Sequence, residues 1–357
     1  MNILAFTQKV DLNDDVLAAF YYWWEKLARK VNRLNIVCLF EGEQNLPDNA
    51  RVFSLGKESG HSRVKYVWRV YKYFWSLRKK TDVIFVHMNE IYIFLIWPLA
   101  KIYHIPIVFW KAHGGKLPHI KKAIFMADKI VTSGVKTFEY DTFKKVIIGQ
   151  GVNVDFFQPA PPTASQPGDS KFQVLAAGRP SPVKHYDILV ESANILVNQQ
   201  GQKNIFFEIV GNSQNQKEAL NQKKLAEKIE EYNLADYFLL KPGVPFGQIK
   251  QKYQECSCLV NLTDPASLEK VVLEAMAMEK PIITSNEAFA PFFKGCEFLK
   301  AQKDNPADLA EKIKNLAALK PEQRKAIGQK LRAMVVKEHS LDRLINELIK
   351  IFYSVVE

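Results

Sequence analysis

Two cations stand close together just past an apolar run: Arg179 follows Ala176-Ala177-Gly178, and Lys184 comes five residues later. A guanidinium offers planar two-pronged hydrogen bonds and an ammonium a point charge, so the pair can hold a diphosphate. In isolation such a pair reads better as two solvated loop side chains. Gly211 closes a second apolar run, Phe207-Glu208-Ile209-Val210, where a missing side chain lets backbone approach a ligand. A third group is Ser267-Leu268-Glu269, which opens a helical pattern carrying Glu274. The N–H groups at such a helix start favour phosphate. Glu274, about two turns in, can accept hydrogen bonds from a ribose diol. Its neighbours Val272, Leu273, Ala275 and Met276 are apolar, and a carboxylate in that setting needs a partner.

Other chemistries lose their motifs. The first strand runs into Thr7-Gln8-Lys9-Val10-Asp11, with no glycine-rich dinucleotide turn, and no phosphate-binding P-loop, zinc-protease helix or serine-hydrolase elbow occurs. No Asp-x-Asp pair suggests a divalent metal, so none is expected. The four cysteines, Cys38, Cys256, Cys258 and Cys296, are too few and scattered for a disulfide framework and read as reduced core thiols. Met1 to Thr7 lacks a basic leader region and reads as a strand. Residues 91–110 are apolar, but Pro98, Lys101, His104 and Pro106 divide them into a buried helix, a turn and a strand.

The elements that must position these groups alternate along the chain. Strand-type runs fall at residues 3–6, 36–40, 52–54, 83–87, 107–110, 130–132 and 146–148, with helical patterns at 12–33, 64–79, 91–103 and 116–126. A proline-rich polar stretch at 158–170 reads as a linker. A second series then places strands at 172–176, 205–210, 238–240, 258–261 and 281–284. Helical patterns lie between them and continue at 307–319, 321–337 and 341–355. This alternation predicts an α/β chain with two doubly wound parallel sheets, whose ligands sit at the carboxyl ends of strands.

The 357 residues carry a net charge of +11, and the charge is lopsided: residues 1–150 hold 23 Lys and Arg against 13 Asp and Glu. The densest part is 61–80. As a helix it would set Val64, Val67, Val70, Phe74 and Leu77 toward a core and Lys65, Arg69, Lys72, Lys79 and Lys80 on the other side, with Trp68, Tyr71 and Trp75 on a flank. Such a helix suits an anionic membrane surface as well as it suits an ordinary domain exterior. No nucleic-acid recognition motif accompanies it. Tyr21, Tyr22, Trp23 and Trp24 form another aromatic cluster, for which core packing is at least as good an account.

Three stretches in order, Gly149 to Pro159, Gly178-Arg179 to Lys184 and on to Ala193, and Val272-Leu273-Glu274-Ala275-Met276-Ala277, resemble glycosyltransferase family 4, a retaining group with the GT-B architecture. The resemblance implies two Rossmann-like domains facing a cleft. Residues 1–157 would be the acceptor domain, with 340–357 packing back onto it; 158–170 would be the linker and 171–339 the donor domain. It implies that Arg179 and Lys184 grip the diphosphate of a nucleotide-sugar, and that Glu274 holds its ribose. Gly178, Gly211, Ser267, Leu268 and Glu269 would line the donor. His113, ending the strand Ile107-Val108-Phe109-Trp110, would lie near the donor sugar as a catalytic residue.

The expected activity is metal-independent, retaining transfer from a nucleotide-diphosphate-sugar to a glycan or lipid-linked acceptor in bacterial cell-surface polysaccharide or glycolipid synthesis. No cofactor is needed beyond that co-substrate. The expected place is the cytoplasm, peripheral at the inner membrane face. A GT-B nucleotide-sugar epimerase and a non-catalytic nucleotide-sugar-binding protein are the rival readings. Several positions depart from the family pattern: Ala266 replaces its first motif glutamate, for which Asp264 or Glu269 would have to substitute. His185 and Glu279 stand where glycine is usual, and the N-terminal Gly-Gly loop is absent.

Overall fold

In β1 (Asn2–Val10) the run Ile3 to Phe6 is fully buried on both sides, the mark of a strand inside a sheet covered by helices on either face. The chain, here a computed structural model, is described over residues 1–14, 17–112, 119–159, 171–263 and 268–357. It divides into two units, Met1–Gly151 with Leu341–Glu357, and Val152–Ser340.

The first unit continues through α1 (Ala18–Ala28), β2 (Arg33–Glu41), β3 (Ala50–Ser54), α2 (Arg63–Leu77), β4 (Val83–His87), α3 (Ile91–Ile102), β5 (Ile107–Trp110), α4 (Ile120–Met126), β6 (Lys129–Thr132) and β7 (Lys145–Ile147). Its strands are all parallel in the order β3-β2-β1-β4-β5-β6-β7. β1 is the first strand laid down, and its two neighbours, β2 and β4, belong to opposite windings. The switch point of the sheet is therefore at the carboxyl ends of β1 and β4. Period-two alternation sorts the core. Leu4, Phe6, Ile84 and Val86 pack with Val70 and Phe74 of α2 and with α3 and α4. Ile3, Ala5 and Phe85 face the other way, onto Trp23, Trp24 and Leu27 of α1. The cluster of aromatic residues in α1 is thus core.

The second unit runs β8 (Phe172–Ala177), α5 (Tyr186–Asn194), β9 (Ile205–Val210), α6 (Gln216–Glu231), β10 (Phe238–Lys241), α7 (Phe246–Glu255), β11 (Cys258–Asn261), α8 (Lys270–Ala277), β12 (Ile282–Thr284), α9 (Pro306–Ala318) and α10 (Pro321–His339). The parallel order is β10-β9-β8-β11-β12, which puts its switch point between β8 and β11. The last helix, α11 (Leu341–Val356), returns to the first unit. Leu341, Leu344, Ile345, Leu348 and Phe352 are buried there with α1, Phe352 stands edge-on to Phe85 at 5.3 Å, and Lys26 pairs with Asp342 at 2.6 Å.

Several expectations need correction. The division between units falls after Gly151, not after 157, because Val152, Val154 and Phe157 are buried in the second core and Val152 N–H donates to His339 O at 2.9 Å. The far boundary falls after Ser340. The first helix is shorter than 12–33, since β2 already begins at Arg33. α2 is rolled relative to the expected face: Val70 and Phe74 are buried, but Val64 and Val67 are exposed. Arg69 turns inward instead and donates to Ser54 O at 3.1 Å. A short helical stretch, Glu287–Phe293, which buries Phe289, Phe292 and Phe293, has no counterpart in the sequence pattern. The proposed linker lies almost wholly outside the described residues.

Candidate functional site

At the carboxyl end of β8 the backbone turns at Gly178, whose φ of +132° only glycine adopts without strain. Its N–H donates to Val210 O at 2.9 Å, tying the turn to the end of β9. A Cβ placed on Gly211 would lie 2.0 Å from Gly178 O. The close approach that Gly211 permits is therefore to the chain's own backbone.

Both cations are already paired. Lys184 ends a short helical turn, Pro182–Lys184, and its Nζ lies 2.9 Å from Glu269 Oε2. That ammonium rests beside the Gly178 turn, 3.5 Å from where a Cβ would be. The buried Tyr186 hydroxyl donates to Gly178 O at 3.1 Å, and burial, with the Glu269 charge, pushes its ionisation well up. Arg179 Nη1 lies 3.1 Å from Glu218 Oε1 and 3.5 Å from Gln214 Oε1. Glu218, in the first turn of α6, is almost fully buried, and its second oxygen accepts the Gln214 N–H at 2.8 Å. Asn215 caps that helix, accepting the Glu218 N–H at 3.0 Å.

The start of α8 supplies the third part. Glu269 precedes its first residue in extended backbone, and Leu268 packs against the second core. Glu274 is 6% exposed and accepts a hydrogen bond from the buried Tyr253 hydroxyl at 2.9 Å. Burial pushes the Glu274 carboxyl up, against the pull of Tyr253 and the Lys270 ammonium, and burial likewise pushes Lys270 down. Tyr253 is driven well up by burial and by Glu274.

The strand ends and the residue before α8 thus bring Gly178, Arg179, Lys184, Gly211 and Glu269 together, while Glu274 stands within α8 against Tyr253 of α7. Ser267, Asp264, Ala266 and His113 lie outside the described residues. Sequence reasoning missed Glu218, Tyr186 and Tyr253. Asn215-x-x-Glu218 has the spacing of a capping box and was a usable signal for the first. Tyr253 had none, because its partner is brought to it from α8 by the fold. Among the described residues no three His, Cys, Asp or Glu side chains converge as a metal site would require.

The first unit has its own opening at the switch point, a cavity of about 250 Å³ lined by Thr7, Gln8, Lys9, Phe20, His87 and Asn89 among others. Thr7 Oγ1 is 3.2 Å from His87 Nδ1, and the His87 ring is enclosed by Phe20 at 4.4 Å, Trp24 at 5.5 Å and Trp23 at 5.7 Å. Lys9 is held by Asp14 at 2.6 Å and Asp11 at 2.9 Å. His87 ends β4, and that position alone was its signal in the sequence.

Known structures share the architecture of the whole chain. The Anabaena protein Alr3699/HepE in complex with UDP is similar over 99% of this chain and 100% of its own, with 15% identity and a TM-score of 0.75. A glycosyltransferase from Rickettsia africae matches over 100% of both chains at 14% identity and TM-score 0.74. Sucrose-phosphate synthase from Thermosynechococcus elongatus matches over 99% of both at 14% identity and TM-score 0.73. These similarities identify the fold class as GT-B. A search of curated protein sequences found no match. The family described as "Glycosyl transferases, group 1" matches residues 162–334, the segment that holds Arg179, Lys184, Glu218, Tyr253 and Glu274. That segment, just under half of the chain, is similar to the group 1 glycosyl transferases.

Proposed function

We propose that the protein is a retaining glycosyltransferase that moves a sugar from a nucleotide-diphosphate-sugar to a glycan or lipid-linked acceptor, in the synthesis of a bacterial surface polysaccharide or glycolipid. The observation that carries this reading is the placement of Arg179 and Lys184 at the end of β8, beside the start of α8, within the matched segment. In the reaction the bond between the anomeric carbon and the diphosphate oxygen breaks, and the diphosphate leaves with the electron pair. The acceptor hydroxyl oxygen bonds to that carbon on the same face and gives its proton to the departing diphosphate oxygen. The developing negative charge on the leaving group is what fixed cations stabilise best.

Each cation has a carboxylate partner before the donor arrives, so binding in this reading is an exchange. The diphosphate displaces Glu269 from Lys184 and Glu218 from Arg179. Arg179 is half exposed, which leaves its guanidinium free to turn toward a ligand. Glu274 takes the ribose diol, its carboxylate oriented by Tyr253. The chain's own side chains suffice for these roles, and no metal or further cofactor is part of the proposal. His113 and Ser267 keep their proposed places near the donor sugar and phosphate. UDP-hexoses are the first donors to test, supported by the UDP and UDP-glucose bound in Alr3699/HepE.

Calorimetry with uridine, guanosine and adenosine diphosphates and their sugars tests the reading. Heat with at least one nucleotide-sugar and its loss in Lys184→Ala are expected; no heat with any of them sinks it. Ala266 motivates the non-catalytic alternative. A protein that binds a donor yet neither transfers nor hydrolyses its sugar would decide for that reading. Nucleotide release that needs no acceptor, with an altered sugar, would decide for an epimerase.

A further inference from the structure

The surface helix α2 carries two apolar stripes, and among the described residues only one of them packs on the sheet. At 100° per residue Tyr66, Val70, Tyr73, Phe74 and Leu77 share the side that packs on the sheet. Val64, Trp68, Tyr71 and Trp75 fall together on the opposite side, with Val67 at its edge. Val64 is 79% exposed, Trp68 57% and Trp75 54%. An ordinary solvated helix face carries charge there. The end of α3 extends the stripe with Ile102, 65% exposed, and with Tyr103, whose ring meets Trp75 edge-on at 6.0 Å.

Cations frame this stripe, and the helix that carries it has no acid. Lys72 Nζ lies 5.1 Å over the Trp68 ring, and the Arg78 guanidinium stacks on Trp75 at 3.7 Å and on Tyr103 at 5.0 Å. Lys65, Lys79, Lys80 and Lys101 are exposed around them. Residues 61–81 contain no Asp or Glu. We propose that this face docks on an anionic lipid bilayer. Val64, Trp68, Tyr71, Trp75 and Ile102 would enter the headgroup layer, and the surrounding lysines and Arg78 would sit on lipid phosphates. Indole and phenol rings suit that layer because one edge is apolar and the other wet. Long cationic side chains reach past them to the charged surface. Nucleic acid fits less well, since Val64, Val67 and Ile102 give bases no ring to stack on and the Trp68 and Trp75 ring faces already carry Lys72 and Arg78.

The full chain is floated with vesicles of phosphatidylcholine, and with vesicles in which part of it is replaced by phosphatidylglycerol, at physiological salt. The chain is expected to float with the anionic vesicles and to stay behind with the neutral ones, and its tryptophan emission is expected to move to the blue. Trp68→Ser with Trp75→Ser, and separately Lys65→Glu with Lys72→Glu, are each expected to weaken anionic binding by at least about tenfold. Both variants are expected to keep the wild-type thermal melt and nucleotide heat, since they lie outside the donor site. The proposal fails if the wild-type chain does not float, if the two variants float like it, or if an oligonucleotide or a second copy of the chain covers the stripe and shifts the emission without lipid. Flotation without any nucleotide heat leaves the docking face standing and removes the transferase reading instead.

Discussion

The two sheets have the same kind of switch point, yet the side chains around them differ in kind. In the second unit each cation at the strand ends is matched by a carboxylate, Arg179 by Glu218 and Lys184 by Glu269, and a buried Glu274 is held by Tyr253. In the first unit the corresponding place is an aromatic-walled cavity around His87, with Lys9 neutralised by two aspartates. Paired charges dominate one end and aromatic rings the other. Topology positions both openings, and their side chains set them apart. The global charge points elsewhere, since residues 1–150 carry the excess while the candidate diphosphate site lies in the nearly neutral remainder.

The units also close differently, and the largest expected effect breaks that contrast. The first core is completed by α11, which arrives from the far end of the sequence, whereas the second closes within Val152–Ser340. Phe352→Ala removes a fully buried ring that meets Phe85, and a loss of about 3–5 kcal/mol is expected. Denaturant titration checks it, with nucleotide heat at low denaturant reporting that the second unit is intact. Equal losses in both units would show that they do not fold independently.

Next in size is Lys184→Ala. A charge-assisted hydrogen bond contributes about 1.5–3 kcal/mol, so nucleotide-diphosphate affinity should fall roughly 10- to 100-fold. Glu269→Gln separates the two roles open to that carboxylate. A mere counter-ion predicts tighter UDP binding, because Lys184 no longer has to be exchanged. A contact with the donor sugar predicts that the UDP-sugar loses affinity while UDP does not. Calorimetry with both ligands reads the difference.

Much of this was legible in the sequence. Strand positions followed from runs such as Ile3 to Phe6 and Val83 to His87, and Gly178, Arg179, Lys184 and Glu274 followed from their places after strands. What was not legible is what those groups touch. Glu269 meets Lys184 across 85 residues and Arg179 meets Glu218 across 39, and no local pattern encodes such pairings. The exposed stripe of α2 was hidden for a related reason. Valines and aromatic residues occur on both sides of that helix, so periodicity alone chose a face that includes Val64 and Val67, whereas the fold buries Val70 and Phe74 with the half-buried Tyr66 and Tyr73.

A smaller effect is expected from Tyr253→Phe, which removes one hydrogen bond to Glu274 and should weaken donor binding roughly 3- to 10-fold, about 0.5–1.5 kcal/mol. The hydrogen bond favours the charged carboxylate, so its loss raises a pKa that burial has already raised. In the proposed reading the ribose diol donates to the carboxylate, so binding should be lost as pH falls through that pKa. The variant's acid limb should therefore begin at higher pH than the wild-type one. A parallel drop with an unshifted limb would reduce Tyr253 to a structural residue.

The smallest effect concerns a departure from the family pattern. Glu279 follows α8 with φ of +59°, and its N–H donates to Met276 O at 3.0 Å, so it ends the helix in left-handed backbone. Its carbonyl is pressed against α10, where a Cβ on Gly328 would come within 1.8 Å. The surroundings therefore hold this conformation whatever residue stands there. A side chain with a Cβ costs about 1–2 kcal/mol in that region, and glycine does not, although glycine gives back part of the gain through the freer unfolded chain. Glu279→Gly should stabilise the second unit by up to about 1 kcal/mol, seen as a melt higher by a few degrees, with donor affinity unchanged. His185, at φ of +47°, should gain less from the same exchange, because its ring lies 3.3 Å from Asp304 Oδ1 and glycine would lose that contact. If Glu279→Gly lowers the melt, the glutamate side chain contributes more at that turn than its backbone strain costs, and the departure from glycine is itself stabilising.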